Sequence, residues 1–250
     1  MSGLWQPVSD CGNHCRDGAD RHTAPGVTVL RLVTLGVVLA GGLLLAPLSR
    51  GVALRGLART MLAVLGIRVE RKGPALRPGS LLVANHVSWL DILVLMAVAP
   101  VRLVAKGEVG EWPGIGSLAG LSGTIFIDRS RPKSLPATVA EVAEALRSGR
   151  TVAAFPEGTT FCGVNHGRFR PALFQAAIDA GAPVVPASIR YDSTAVAFIG
   201  DDTLLDSVRR VAALRSLTVT LVTAPALRPA PGADRRMLAR AAQSSMGVSA

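Results

Sequence analysis

The chain has 250 residues, 49% of them hydrophobic, with a mean hydropathy of +0.40 and a formal net charge of +10. That length holds one ordinary domain plus an appendage, and the hydropathy, high for a soluble domain and low for a multi-span membrane protein, predicts a globular body with a membrane-attached part. A basic balance suits nucleic acid or an anionic membrane surface, but aromatic residues able to stack on bases make up only 4%, so the charge points to the membrane and away from nucleic acid.

Residues 1–26 are rich in Gly, Asp, Ser and Pro and lack periodicity, which predicts a disordered tail. Three cysteines are too few for a disulfide framework. Cys11-Gly12-Asn13-His14-Cys15 has the look of half a zinc site, but no second Cys/His cluster exists in the sequence to complete it, so no metal is expected. Cys162 is expected to be a small core or rim residue rather than a nucleophile.

Val27 to Leu48 is almost wholly apolar, with Arg31 its single charge. A helix of that length is about 33 Å long, enough for a hydrocarbon core of roughly 30 Å, and Arg31 is placed to snorkel to the interface. Gly41-Gly42 and Pro47 weaken a straight span. From Arg50 to Gly66 a second segment puts Arg55 and Arg59 one turn apart, with Leu54, Leu57, Met61, Leu62 and Leu65 largely on another face, an interfacial pattern. Residues 27–66 therefore read as a membrane anchor, either a hairpin dipping into one leaflet or a span followed by a surface helix. Residues 50–77 carry Arg50, Arg55, Arg59, Arg68, Arg71, Lys72 and Arg77 against Glu70 alone, whereas residues 1–26 hold Arg16 and Arg21 against three Asp. The positive-inside rule then places the body, residues 67–250, on the cytoplasmic side of the cell membrane.

From Ile67 onward strand and helix patterns alternate. Strands are expected near 67–71, 80–84, 101–105, 123–127, 151–155, 183–189 and 217–223, and helices near 88–98, 134–148, 171–180, 203–214 and 234–245. Ser134 is expected to cap the second of these helices, Pro136 lies in its first turn, and Val139, Val142, Ala143 and Leu146 share one face. The alternation predicts an α/β fold, with a mixed, mostly covered sheet flanked by helices behind the helical anchor.

Four strand ends carry chemistry. After the run Ser80–Ala84 comes Asn85-His86, and Asp91 follows five residues past His86. A turn there, with a helix capped by Ser88, lets Asp91 accept from one ring nitrogen of His86 and leaves the other as a base. Imidazole is the side chain suited to that task near neutral pH. Without a Ser or Cys partner, such a pair suggests general-base catalysis on a bound hydroxyl. Gly123–Arg129 is a strand delivering Arg129 to a cationic loop, and Arg129 is suited to grip a phosphate. Phe155-Pro156-Glu157-Gly158-Thr159-Thr160 is a strand-end turn able to offer N–H groups to an oxyanion or phosphate. Its Glu157 is either a partner for a substrate hydroxyl or a brace for nearby Arg residues. Arg168-Phe169-Arg170-Pro171 adds cations at a helix start, Lys106 ends another strand, and Val184-Val185-Pro186 suits an edge strand or the wall of an apolar slot. Ligands of open α/β sheets collect at such strand C-termini.

Together these stretches resemble the 1-acyl-sn-glycerol-3-phosphate acyltransferase family of membrane-associated glycerolipid acyltransferases. Asn85-His86 through Asp91 matches its N-H-x4-D block, Gly123 through Arg129 its G-x-x-F-I-x-R block, Phe155 through Thr159 its F-P-E-G-T block, and Val184-Val185-Pro186 its short apolar-Pro block. The likeness covers roughly residues 67–225. It implies that His86 is the general base for the acceptor hydroxyl, that Asp91 orients it, and that the hydroxyl attacks an acyl thioester directly, without an acyl-enzyme. It also implies that Arg129, with Glu157 and Gly158, organises the acceptor head group. Thr159, Lys106 and Arg170 complete the expected substrate-binding set. The implied partners are a lysolipid acceptor in the membrane and acyl-CoA or acyl carrier protein, with the thioester as co-substrate and no cofactor. One departure bears on the acceptor. Where the family often has Phe-Lys-x-Gly, this chain has Phe169-Arg170-Pro171-Ala172, so lysophosphatidic acid, a lyso-ornithine lipid or another lysolipid are all open.

Three rivals fit less well. A metal-dependent phosphoesterase needs more His and Asp ligands than His14, His22, His86 and His166 supply. A serine hydrolase lacks its G-x-S-x-G turn. An inactive lipid-binding surface protein has no need of the intact His86 and Asp91.

Overall fold

The computed structural model describes residues 7–16, 20–45 and 52–247. Among these, the strands are β1 (Ile67–Lys72), β2 (Leu81–Ala84), β3 (Val101–Lys106), β4 (Ile125–Ile127), β5 (Thr151–Ala154), β6 (Val184–Tyr191) and β7 (Leu217–Thr223). They form one sheet in the order β1-β7-β6-β2-β5-β3-β4. The pairings from β6 through β2, β5 and β3 to β4 are parallel, β7 runs antiparallel to β6, and β1 is parallel to β7. The sheet is therefore mixed, with five strands pointing the same way.

The helices are α1 (Pro25–Leu45), α2 (Val52–Val64), α3 (Leu90–Val98), α4 (Ile115–Leu121), α5 (Leu135–Arg147), α6 (Ala172–Ala180), α7 (Leu204–Ala213) and α8 (Arg235–Gly247). Period-2 alternation splits β2 between two cores. Leu82 and Ala84 join one layer with Leu62, Leu90, Val94 and Val211. Leu81 and Val83 join the opposite layer with Val142, Phe174 and Leu238. Both faces of the central strands are thus covered, as near-continuous apolar strands of parallel sheets require. The fold class and all seven strands stand where the sequence pattern placed them, with the five helices expected in the body.

Differences have local causes. The sequence pattern gave no helix at α4, because glycine is a poor helix former. Gly116 is needed there because a Cβ would lie 2.0 Å from the Gly110 carbonyl oxygen. Pro186 lies in an interior strand, not an edge. The β6–β7 ladder begins one residue later, at Ala187 opposite Thr223, and the Pro186 carbonyl accepts from Ala224 N–H, so the missing donor falls at the ladder's end. Ser134 does not cap α5, since its hydroxyl donates to the Arg131 carbonyl instead.

The described part of residues 1–26 packs on the body. Arg16 donates to Asp202 and to the Ala197 and Ile199 carbonyls. His22 bridges Leu214, and Thr23 N–H donates to the Ala213 carbonyl. These backbone and ion-pair partners lie far along the chain, where composition gives no hint of them.

α1 is 21 residues long, with a mean hydropathy of 2.1 over its most apolar window, and is long and apolar enough to cross a membrane. Val29, Leu30, Val33, Val37 and Leu44 are exposed on it. Arg31 does not snorkel. Its guanidinium donates to the Ala212 and Leu214 carbonyls at the end of α7. In α2, Leu54, Ala58 and Leu62 are buried, as is Leu65 just past its end. Arg55 and Arg59, expected on an interfacial face, donate to the Ala97 and Val98 carbonyls that end α3. Cations at helix C-termini satisfy orphan carbonyls and complement the dipole. Pro47 and Arg50 lie outside the described residues.

Candidate active site

The parallel arrangement of β2, β5, β3 and β4 brings the C-terminal ends of four neighbouring strands to one edge of the sheet. Asn85 and His86 leave β2 there, Phe155–Gly158 leave β5, Lys106 ends β3 and Arg129 follows β4. Strand direction alone therefore assembles the motifs that the sequence scatters.

Asn85 fixes the first turn. Its buried side chain accepts from the Ile189 N–H at 2.7 Å and donates to the Ile189 carbonyl at 3.0 Å, which ties the end of β2 to β6. His86 comes next. Its Nδ1 lies 2.8 Å from Asp91 Oδ2. The same Oδ2 accepts from the N–H groups of Val87 at 2.7 Å and Ser88 at 2.9 Å. Tyr191 donates its hydroxyl to Oδ1 at 2.6 Å. Asp91 is completely buried, and the Val87 and Ser88 N–H groups and the Tyr191 hydroxyl already donate to it, so His86 Nδ1 is placed to donate to it as well. The other ring nitrogen, Nε2, is left with its lone pair and has no protein partner among the described residues. The cap expected from Ser88 is replaced by this carboxylate, which reaches back to the N–H groups at the start of α3, while Ser88 Oγ accepts from Leu90 N–H at 3.4 Å.

The backbone of His86 is held from both sides. Its N–H donates to Glu157 Oε2 at 2.7 Å and its carbonyl accepts from Phe161 N–H at 2.8 Å. Its ring stacks on Phe155, with centroids 4.0 Å apart and planes 12° from parallel. Glu157 is buried, and its other oxygen accepts from Gly167 N–H at 3.0 Å. Glu157 is therefore a brace for the His86 backbone. Both of its oxygens are engaged by main-chain donors. His166, half exposed, stands 3.8 Å from Glu157 Oε1, and attraction to that carboxylate raises its pKa.

Beside Phe155 lies a cavity of about 160 Å³ lined by Val104, Ile127, Leu135 and Leu173 on its apolar side and by Arg129, Gly158 and Arg170 on its polar side. Arg129 donates to the Gly158 carbonyl. Burial lowers its pKa from the ordinary arginine value, and Glu108 opposes that, yet a guanidinium so far above neutrality stays charged. Gly158 has φ +79°, and a Cβ there would meet Pro7 at 2.9 Å and Arg170 Nε at 3.4 Å. A side chain at this position is thus excluded by backbone conformation and by space. The Gly158 N–H donates to the Phe155 carbonyl at 3.0 Å, so it is not an oxyanion donor in this arrangement.

The structure thus brings His86, Asp91, Arg129, Gly158 and Arg170 to one edge, with Glu157 behind them. Thr159 sits half-buried in the same turn, outside the cavity lining. Lys106 is exposed at the end of β3 and does not line the cavity. Two features were missed by sequence reasoning. Tyr191 reaches Asp91 from the end of β6, and a β-strand tyrosine after an apolar run carries no local signal of that. Cys162 lies beside Cys11 and Cys15, with the three sulfurs within 4.8 Å of one another. Cys162 is far from that pair along the chain, so no local pattern shows this contact.

The sequence pattern of the Acyltransferase family matches residues 66–190, from the start of β1 to the end of β6. The chain is 38% identical to the 1-acyl-sn-glycerol-3-phosphate acyltransferase of Neisseria meningitidis serogroup B over 180 residues, which is 69% of this chain and 71% of that one. It is also 38% identical to the lyso-ornithine lipid O-acyltransferase of Pseudomonas aeruginosa over 232 residues, 87% of this chain and 89% of that one. The crystal structure of the 1-acyl-sn-glycerophosphate acyltransferase from Thermotoga maritima superposes with a TM-score of 0.68 at 20% identity, over 87% of this chain and 90% of that one, and shares its fold. With its four motif blocks in order and this coverage, the chain belongs to the Acyltransferase family and is an enzyme of the lysophosphatidic acid and lyso-ornithine lipid acyltransferase type.

Proposed function

We propose that the enzyme moves a fatty acyl group from a thioester, acyl-CoA or acyl carrier protein, to the free hydroxyl of lysophosphatidic acid, with His86 as general base. The observation that carries this reading is the 2.8 Å contact between His86 Nδ1 and Asp91 Oδ2, which presents Nε2 as the acceptor. Nε2 takes the hydroxyl proton as the oxygen attacks the thioester carbonyl carbon. The tetrahedral intermediate collapses, the C–S bond breaks, and the imidazolium returns the proton to the departing sulfur. The ester and free thiol are the products, and no covalent enzyme intermediate forms. A positioned base contributes about 10²–10⁴-fold. A thioester is already activated, so this with positioning is sufficient and no step passes through a metal or cofactor.

Arg129 and Arg170 at the cavity, each charged, support a phosphate-bearing acceptor. The apolar lining from Val104, Ile127 and Leu173 suits an acyl chain. A second acceptor, a lyso-ornithine lipid, is favoured by one observation, the relative of that activity being similar over 87% of this chain. The exposed apolar face of α1 supports attachment to the membrane in which the acceptor resides, and the basic excess of residues 50–77 supports a body on the cytoplasmic side.

The test is acyl transfer by membranes containing the protein. Acyl-CoA or acylated carrier protein is supplied with lysophosphatidic acid, a lyso-ornithine lipid or glycerol 3-phosphate. Phosphatidic acid forming in the wild type and falling at least about 10²-fold in His86→Ala is the expected result. Full activity in His86→Ala sinks the base assignment, and product from the lyso-ornithine lipid alone reassigns the acceptor.

A further inference from the structure

The acyl transfer chemistry uses none of the three cysteines, yet the fold gathers all of them. Cys11 and Cys162 are buried and Cys15 is half-buried, all three are free thiols, and their sulfurs lie within 4.8 Å of one another. Cys15 ends a tight 3-10 turn, Asn13–Cys15, closed by the Cys15 N–H on the Gly12 carbonyl at 2.9 Å, and Cys11 lies just before it. That turn points both sulfurs at a loop from the far side of the sequence. There Cys162 Sγ accepts the Asn165 N–H at 3.4 Å, a main-chain donor that favours a thiolate.

We propose that Cys11, Cys15 and Cys162 bind one thiophilic d10 cation, Zn²⁺ or Cu⁺, that clamps the N-terminal segment to the catalytic loop. Metal–sulfur bonds of about 2.3 Å place tetrahedral thiolates about 3.8 Å apart, so closing the observed cluster on an ion takes a movement of about 1 Å. Three sulfur donors exclude the hard cations, which take oxygen. Cu⁺ is satisfied by the three thiolates. Zn²⁺ takes a fourth ligand on the half-exposed side of Cys15, from water or from His14. Each thiol gives up its proton as its S–metal bond forms, so binding releases protons and tightens as pH rises.

The site would act on the enzyme through two contacts. Phe161, next to Cys162, donates its N–H to the His86 carbonyl at 2.8 Å. Pro7, four residues before Cys11, lines the cavity and packs over Gly158. Arg16, just past Cys15, is anchored separately by Asp202 at 2.8 Å. The ion thus ties a segment that covers the cavity to the loop that backs the base. A disulfide between two of the cysteines is the competing outcome, and it would leave the third thiol unused.

The experiment uses the full chain without an affinity tag, since a histidine tag brings zinc of its own, purified in detergent under a phosphine reductant. Metal content is measured by mass spectrometry for the wild type, Cys11→Ser, Cys15→Ser and Cys162→Ser. About one equivalent of zinc or copper is expected in the wild type, falling below about 0.2 in each variant. Cys15 is the least buried of the three, so Cys15→Ser keeps the test meaningful if the other variants fail to fold. As an independent readout, metal-free wild type titrated with Co²⁺ should develop a sulfur-to-cobalt charge-transfer band that saturates near one equivalent and is absent in Cys15→Ser. A folded wild type that takes up neither zinc, copper nor cobalt overturns the proposal. So does metal content unchanged by Cys162→Ser, or a peptide map showing a Cys11–Cys162 or Cys15–Cys162 disulfide in protein taken directly from cells. None of these readouts depends on acyl transfer, so failure here leaves the reading of His86 standing.

Discussion

Tyr191 donates its hydroxyl to Asp91 Oδ1 at 2.6 Å, from the opposite side to His86. Burial of the phenol end, with the adjacent carboxylate, pushes the Tyr191 pKa well above its ordinary value, so it stays a donor across the working pH range. The carboxylate that holds His86 is itself held. Tyr191→Phe removes one charge-assisted hydrogen bond and leaves the ring in place. A loss of about 1.5–3 kcal/mol in stability is expected, with a fall in kcat and little change in acceptor KM. An unchanged kcat with lowered stability would make Tyr191 purely structural.

Asp91→Asn is the sharper change. The amide keeps the shape, but its NH2 group must face one of the donors that Asp91 receives, namely His86 Nδ1, Val87 N–H, Ser88 N–H or Tyr191. A donor then opposes a donor in a fully buried place, which costs about 1–3 kcal/mol. The imidazole also loses the partner that fixes its tautomer. A kcat fall of about 10²-fold or more is expected, measured on purified enzyme with both donors. Activity within about threefold of wild type would show that tautomer control at His86 does not limit the rate.

Arg129→Lys tests the head-group assignment. Arg129 offers a planar fork, one arm of which donates to the Gly158 carbonyl. A lysine keeps the charge but cannot serve the turn and an anion together. Acceptor KM should rise about tenfold for lysophosphatidic acid and much less for the uncharged monoacylglycerol. Equal effects on both acceptors would place the role of Arg129 in shaping the turn.

The strands and most helices were legible because each is encoded locally, by alternation, helical periodicity and turn residues. Direct readings also placed His86 by Asp91, since five residues of turn and first helical turn can hold only a few geometries. What was not legible is carried by register between distant segments. Glu157 looks like a ligand-binding carboxylate in its turn, and only the position of β5 next to β2 shows that it receives the His86 N–H. Arg31, Arg55 and Arg59 read as interfacial cations because their partners are carbonyls at the ends of α7 and α3, which no charge pattern reveals. Lys106 shared the strand-end logic of Arg129, but β3 delivers it to an exposed end. The proximity of the three cysteines was not legible for the same reason, Cys162 being distant in sequence from Cys11 and Cys15.

His166 gives a pH signature. Attraction to Glu157 raises its folded-state pKa above the unfolded value. A raised pKa means that the folded state binds the proton more tightly, so the contribution is fully present below about 6.5, the unperturbed value, and is lost as pH rises through the folded pKa. Because the side chain is half exposed, the effect is screened and small. The Tm difference between wild type and His166→Gln should therefore be larger at pH 5.5 than at pH 8.5. A difference that grows with pH would mean that His166 is held as the neutral form.

Asp202 joins the N-terminal segment to α7. Its carboxylate, nearly buried, accepts from Arg16 at 2.8 Å and from Arg210 through both of its oxygens. Burial, then the nearby Arg210, lowers the Arg16 pKa, and the Asp202 charge opposes both. Asp202→Ala leaves two largely buried guanidiniums facing each other with no anion between them, and breaking such an arrangement costs about 3–5 kcal/mol. Arg210 has alternative acceptors in the Ala195 and Ala197 carbonyls, and α7 should therefore persist. Arg16 also reaches the Ala197 and Ile199 carbonyls, but those neutral acceptors cannot offset repulsion between the two cations. In metal-free protein, residues 7–16 should consequently detach first, read as faster hydrogen exchange confined to that segment, while the exchange of β2 and β5 stays unchanged. Uniformly faster exchange would mean that Asp202 supports the whole body, and protection of residues 7–16 as in the wild type would mean that the segment is held without it.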